Sequence, residues 1–124
     1  MELNAYFKSI IEHDPAPIVI CNMEHEMLYL NPAAIKRYEA RGGAAMVGRS
    51  VFGCHNPSSN QKIEMVIEWF RKSVENNVMF ISYNPIENKD LYMIALRDEE
   101  QNLIGYYEKH ASRNRETSPV YDFK

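Results

Sequence analysis

Cys54 and His55 form the only adjacent Cys-His pair in the chain, and their side chains could bind a metal. Thiolate sulfur and imidazole nitrogen are good ligands for zinc and for haem iron. A structural zinc site needs about four such ligands, and the sequence has no CxxC, HxxxH or HExxH pattern to supply the others. We therefore expect no metal site, a small buried thiol at Cys54 and an imidazole at His55 that hydrogen-bonds within its own loop. Haem ligation by either residue stays open as the alternative.

Aromatic and methionine side chains are the second candidate group, because they could line a cavity between a sheet and its helices. The members are Phe52, Phe70, Phe80, Tyr83, Tyr92, Tyr106, Tyr107, Met46, Met79 and Met93. The alternative is an ordinary packed core in which Met fills irregular gaps. The candidate ligand-binding residues are Phe52, Cys54, His55, Phe70, Tyr92 and Ile94.

Patterns typical of enzymes are missing from the sequence. It has no Ser-His-Asp context, no paired carboxylates on an evident pocket wall and no Gly-rich phosphate loop. A Cys-His dyad enzyme would need a third, orienting group, and adjacent residues rarely point at the same atom. We expect no catalytic activity.

The loop at residues 48–57 leads into the clearest helix in the sequence. Ser58 and Gln61 have the spacing of a capping box, which predicts that the helix begins there. Apolar residues follow at helical spacing, at Ile63, Val66, Ile67, Phe70 and Val74. Asn76-Asn77 can end the helix, because Asn tolerates the left-handed conformation. The pattern predicts a capped helix that lies across an apolar surface.

The first residues of the chain predict a short amphipathic helix. Its apolar residues, here called the N-terminal stripe, are Leu3, Tyr6, Phe7, Ile10 and Ile11. Such a stripe is buried either against its own domain or against a second copy of the chain. The N-terminal stripe is therefore our candidate dimer interface.

Short β-branched and aromatic runs between turn signals predict five strands. They occupy residues 17–21, 26–30, 78–83, 91–97 and 103–111. Asn31-Pro32 predicts the start of a further helix, which Gly42-Gly43 ends. The order predicts an α+β domain over residues 1–112, with a five-stranded antiparallel sheet, helices on one face and the N-terminal amphipathic helix. Residues 113–124 are expected to be a polar tail.

The strand at residues 91–97 is apolar on both faces. Alternation places Tyr92, Ile94 and Leu96 on one face, and the residues between them on the other. One face must meet the core, so the other should meet the N-terminal helix or a second subunit. This pattern favours a homodimer.

Composition excludes several classes of protein. The 124 residues carry a net charge of -3 without a basic stripe, which argues against binding to nucleic acid. No long apolar segment indicates a membrane span or a signal peptide. Two cysteines do not make a disulfide framework and suit a reducing compartment. We expect a small cytoplasmic domain.

The predicted order of elements resembles the PAS domain over residues 5–112. Residues 31–33, Asn-Pro-Ala, are similar to the PAS motif that starts the helix after the second strand. Residues 47–52 resemble the short helical turn that follows, and residues 97–105 resemble the last PAS hairpin. Gly48-Arg49 together with Cys-His-Asn-Pro at residues 54–57 resembles bacterial PAS modules found beside hemerythrin-like domains, although an Asn intervenes before the Pro.

The resemblance implies sensing and signal relay, with a small ligand or cofactor enclosed between the sheet and the helices. In flavin-binding photosensors a reactive cysteine follows the Gly-Arg motif; the matching position here is Val51, so flavin is not expected. Cys54 does not match the register of the coumarate-binding photoreceptors either. We expect a stand-alone sensor domain that acts through a partner protein. The alternative is a dimerising interaction module with a packed core.

Overall fold

A computed structural model describes residues 2–54 and 56–122 of the chain. The elements are α1 (Asn4–Glu12), β1 (Ile18–Asn22), β2 (Met27–Leu30), α2 (Pro32–Arg37), α3 (Pro57–Lys72), β3 (Val78–Asn84), β4 (Lys89–Arg97) and β5 (Leu103–Ser112), with short 3-10 turns at Glu39–Arg41, Gly43–Met46 and Val51–Cys54. In this described part, five antiparallel strands form one sheet in the order β2-β1-β5-β4-β3. The predicted α+β architecture is confirmed.

Alternation along the strands gives the sheet two distinct faces. Tyr106 on β5 and Met93 on β4 point into the core with Phe70 of α3, and all three are almost fully buried. Gly105 lets β1 approach β5 closely, because a Cβ atom there would lie 2.3 Å from the carbonyl oxygen of Cys21. The core lies between this face and α2 and α3.

Asn31 joins three elements through its buried side chain. Its Oδ1 accepts hydrogen bonds from the amides of Ile18 (2.9 Å) and Ala34 (3.0 Å). Its Nδ2 donates to the carbonyls of Ile11 (3.0 Å) and Ala16 (2.9 Å). The residue therefore fixes the end of α1, the start of β1 and the N-cap of α2, as the Asn-Pro pattern predicted for α2 alone.

The predicted helix after Asn31 is shorter than expected. It ends at Arg37, not at Gly42-Gly43, because the chain continues in tighter turns. The amide of Arg41 bonds the Tyr38 carbonyl at 2.9 Å, three residues back. Local pattern does not distinguish such 3-10 turns from a continued helix.

The predicted capping box at the start of α3 is wrong. The N-cap is Asn56, whose Oδ1 accepts the amide of Ser59 at 2.8 Å, and Pro57 occupies the first helical position. Ser58 lies inside the first turn. Asn followed by Pro is the better start signal, because Pro lacks the amide that would otherwise stay unpaired there.

The predicted helix end at Asn76-Asn77 is also wrong, because α3 stops at Lys72. The Arg97 guanidinium of β4 donates to the carbonyls of Phe70 (2.7 Å) and Ser73 (3.1 Å). A cation at a helix C-terminus satisfies unpaired carbonyls and the helix dipole. This long-range contact holds the C-terminal end of α3 firmly on the sheet.

Helix α1 lies on the other face of the sheet from α2 and α3. The Tyr29 hydroxyl of β2 donates to the Glu12 carboxylate, and Lys109 of β5 donates to Asp14 at 3.1 Å. Ile18 and Tyr107 line the gap beneath the end of α1. No helix in the described part of the chain is long and apolar enough to cross a membrane.

Candidate functional site

A cavity of about 140 Å³ lies between the N-terminal half of α3 and strands β3 to β5. We call it the α3 cavity. Its lining residues are Ser59, Lys62, Ile63, Ile81, Ser82, Leu91, Met93 and Glu108. Apolar walls with a few polar groups are typical of ligand sites.

Glu108 is the unusual residue of this lining. It is 7% exposed, and no hydrogen bond or ion pair joins its carboxyl group to any described residue. Burial raises the pKa of Glu108 to about 7. A desolvated carboxylate costs free energy unless a donor or a cation meets it, so the proton is retained more strongly than in water.

Two tyrosines lie near the Glu108 carboxyl. Burial raises the pKa of Tyr38, and the Glu108 charge adds to that effect. Burial also raises the pKa of Tyr106, with a smaller contribution from the Cys21 thiol. Both phenols have partners of their own: Tyr106 shares a hydrogen bond with His25 Nδ1 at 2.9 Å, and Tyr38 with His110 Nε2 at 3.1 Å.

A much smaller cavity, of about 20 Å³, also touches Glu108. Tyr38, Arg41 and Met46 are among its lining residues. That volume holds about one water molecule. Glu108 therefore lines two cavities, of which the α3 cavity is large enough for more than water.

An apolar groove of about 300 Å³ adjoins the α3 cavity between α3 and the edge strand β3. Its lining residues are Lys62, Met65, Val66, Trp69, Met79, Phe80 and Ile81. Lys62 and Ile81 line both spaces and thus mark the mouth of the α3 cavity. The groove offers additional apolar surface to a ligand that extends outward.

The candidate residues from the sequence do not share one cavity. Phe70 is fully buried in the core, and Phe52 is partly buried and stacks on His25 with ring centroids 4.2 Å apart. Tyr92 and Ile94 lie on the outer face, on the side of Lys109. Placing them with Phe70 was wrong, because both faces of β4 are apolar and alternation alone does not say which one is inward.

The Cys-His pair lies at a gap in the described residues. Cys54 ends a 3-10 turn, and His55 lies outside the described residues. Ligation of haem by either stays a prediction. The α3 cavity is smaller than the roughly 300–1,000 Å³ of pockets for larger ligands, so it does not fit a haem. Within residues 2–54 and 56–122, no cluster of three His, Cys, Asp or Glu residues is placed to hold a metal ion.

The N-terminal stripe is largely uncovered. Tyr6, Phe7 and Ile10 are each more than half exposed, Leu3 is 40% exposed, and Ile11 is partly buried. Ile10 and Ile11 border a gap of about 240 Å³ over the outer face of the sheet. The domain itself therefore buries little of this stripe, and its role as a dimer interface stays a prediction.

Sequence reasoning missed Glu108 altogether. Its signal is the alternation of Tyr106, Glu108 and His110 along β5, which puts all three on one face. The alternation does not say that this face is the buried one, because Tyr107 places an aromatic residue on the opposite face as well.

Comparisons with protein families and with curated proteins find no match. Solved structures are similar. The C-terminal domain of a protein from Streptococcus mutans is 25% identical with a TM-score of 0.65, covering 86% of this chain and 81% of that one. A PAS domain from Colwellia psychrerythraea is 11% identical with a TM-score of 0.66, covering 90% and 97%. The Aer2 receptor from Vibrio cholerae, described as a dual PAS-heme oxygen sensor, is 19% identical with a TM-score of 0.53, covering 80% and 95%. With the strand order and the placement of α2 and α3, these similarities show that the chain has the PAS fold.

Proposed function

We propose that this domain is a sensory or signal-relay module that binds a small ligand in the α3 cavity and is not an enzyme. The α3 cavity, with a buried carboxyl group on its wall, carries the proposal. The same fold serves a described oxygen sensor in Aer2, which supports a sensory role here by analogy only.

The two halves of α3 differ in a way that suits ligand entry. The C-terminal half is held by Phe70 in the core and by Arg97 at its last carbonyls. The N-terminal half, at Ser59, Lys62 and Ile63, lies over the cavity. We therefore propose that a ligand acts on the N-terminal half of α3.

Strand β5 offers a route from the cavity to the other face of the sheet. Glu108 faces the cavity, and the next residue, Lys109, binds Asp14 between α1 and β1. A ligand that shifts β5 would act on this ion pair and on the orientation of α1. We propose that α1 carries the signal onward.

Ligand binding can be tested with a fragment library monitored by amide chemical shifts. We expect bound fragments to shift the amides of Ile63, Leu91 and Met93. Ile81→Trp fills the cavity mouth and should abolish the shifts, whereas Ile104→Trp, at a position that is 54% exposed and does not line the cavity, should preserve them. Fragment binding that Ile81→Trp leaves unchanged would refute the site.

The exposed N-terminal stripe favours a second function, homodimerisation. Ile10 and Ile11 of the stripe border the outer sheet face, in the gap that Ile18 and Leu96 also line. Covering both surfaces with a second copy would bury apolar area that a monomer leaves in water. We propose that α1 and the outer sheet face form the dimer interface.

Phe7→Glu tests the interface, because it places a charge in the middle of the stripe. We expect the mass by light scattering to fall to that of a monomer, with the circular dichroism spectrum retained. Ala5→Glu adds the same charge on the opposite side of α1 and should leave the dimer intact. A monomeric wild-type protein, or a dimer that survives Phe7→Glu, would refute the interface.

The narrower resemblance to PAS modules beside hemerythrin-like domains, the cytoplasmic location and the downstream partner protein are further proposals. They rest on the sequence patterns alone.

A further inference from the structure

Three polar side chains of the described residues are buried: Asn31, Asp90 and Glu108. Glu108 differs from the other two. Asn31 makes hydrogen bonds to surrounding backbone, and Asp90 binds the Arg113 guanidinium. Of these three side chains, Glu108 makes no hydrogen bond or ion pair with a described residue, and it lines a cavity. A carboxyl group that is only 7% exposed, lines a cavity and makes no such contact is placed to bind a ligand.

We propose that the α3 cavity recognises small primary amines, whose protonated nitrogen pairs with the Glu108 carboxylate. This inference rests on the proposed function, since it names the ligand class of the same site. An ammonium group brings both the positive charge and the hydrogen-bond donors that the carboxylate lacks.

The dimensions of the α3 cavity limit the rest of the ligand. A cavity of about 150 Å³ is known to hold benzene, and the α3 cavity has about 140 Å³. Ile63, Ile81, Leu91 and Met93 supply apolar walls. The ligand is therefore a compact apolar body about the size of a benzene ring that carries one amine.

Other charged and titratable groups lie around Glu108, but none of those in the described residues pairs with its carboxyl group as the ligand ammonium would. Lys62 of α3 is exposed at the cavity mouth, and Tyr38 and Arg41 line the small cavity. Tyr106 and His110 lie two residues to either side on β5, and burial lowers the pKa of His110 to about 4, so it is neutral near pH 7. Lys62 would favour an anionic ligand, which makes charge the property to test.

Three probes of similar shape separate these alternatives: benzylamine, benzyl alcohol and benzoate. Their affinities for the full chain are measured by NMR titration at pH 8, for the wild type, Glu108→Gln and Glu100→Gln. The last variant removes a carboxylate from an exposed turn and serves as the control. Ile81→Trp shows whether any binding occurs in the α3 cavity.

We expect benzylamine to bind the wild type about tenfold to a hundredfold more tightly than benzyl alcohol, the usual gain of a hydrogen bond to a charged group. The preference should disappear in Glu108→Gln and persist in Glu100→Gln. In the wild type, benzylamine affinity should rise about tenfold from pH 6 to pH 8 as Glu108 ionises.

The outcomes distinguish the ligand class from the function itself. Binding that Ile81→Trp abolishes, but in which benzyl alcohol or benzoate equals benzylamine, overturns the amine class and leaves the ligand site standing. If Glu108→Gln leaves the benzylamine affinity unchanged, the amine class is likewise overturned and the ligand site still stands. Failure of all three probes to bind counts against both the amine class and the proposed site.

Discussion

Asp90 and Glu108 are buried carboxyl groups on neighbouring strands, with exposures of 8% and 7%, yet their surroundings are opposite. Both oxygens of Asp90 accept the Arg113 Nε, at 2.9 and 2.8 Å, on the outer face of the sheet. Glu108 lies on the core side, and no residue in the described part of the chain pairs with it. Carboxyl groups of equal burial thus have two different surroundings: Asp90 is paired with a cation, and Glu108 is the group that we propose binds a ligand.

Asn31 extends the comparison to a neutral buried group whose hydrogen bonds are satisfied. Asn31→Ala should give the largest loss of stability, about 4 kcal/mol, because it removes a helix cap and orphans several buried backbone groups. Denaturant unfolding measures the loss. Asn31→Asp keeps the oxygen that accepts the amides of Ile18 and Ala34. It removes the Nδ2 group that donates to backbone carbonyls, so we expect an intermediate loss of stability. A loss below about 1 kcal/mol for Asn31→Ala would contradict its role in joining three elements.

Glu108→Met should change the free energy of unfolding in the opposite direction and stabilise the free protein. The wild-type carboxyl has its pKa raised from 4.5 to about 7 in the folded state. Folded protein therefore binds the proton more tightly than unfolded chain, and stability falls as pH rises from about 4.5 to about 7. Above pH 7 the variant should gain about 3 kcal/mol, and below pH 4.5 this ionisation-linked difference should vanish. Unfolding curves at several pH values measure it; a pH-independent difference would contradict an unpaired carboxyl.

Asp90→Asn should give the smallest effect, a fall of a few degrees in thermal midpoint. The substitution removes the charge that binds Arg113, whose guanidinium also lies 4.0 Å from the Tyr83 ring centroid. Because Arg113 is solvated, the loss is modest. Differential scanning calorimetry measures it. A stabilising Asp90→Asn, like the change expected at Glu108, would mean that the two carboxylates do not differ as described.

Local signals in the sequence were sufficient for most of the fold. Turn residues and β-branched runs marked the five strands, and Asn31-Pro32 marked the start of α2. The same signal at Asn56-Pro57 was overlooked in favour of Ser58. The end of α3 was not predictable locally, because Arg97 reaches it from a distant strand.

The candidate site was predicted less well, for a physical reason. Alternation along a strand shows which residues share a face of the sheet, but it does not show which face points into the core. Both faces of β4 are apolar. Tyr92 and Ile94 were therefore placed inside. Glu108 was passed over because a lone carboxylate in a strand is normally exposed, and only the sheet packing shows that this one is buried.

The titration of the Glu108 side-chain carboxyl carbon by NMR tests the unpaired state of this group without assuming a ligand. We predict a midpoint at about pH 7 in the free protein, and a shift to lower pH when benzylamine is bound, because a nearby cation favours the carboxylate. A midpoint near the ordinary value of 4.5 in the free protein would show that water or another group already satisfies Glu108, and would contradict the account.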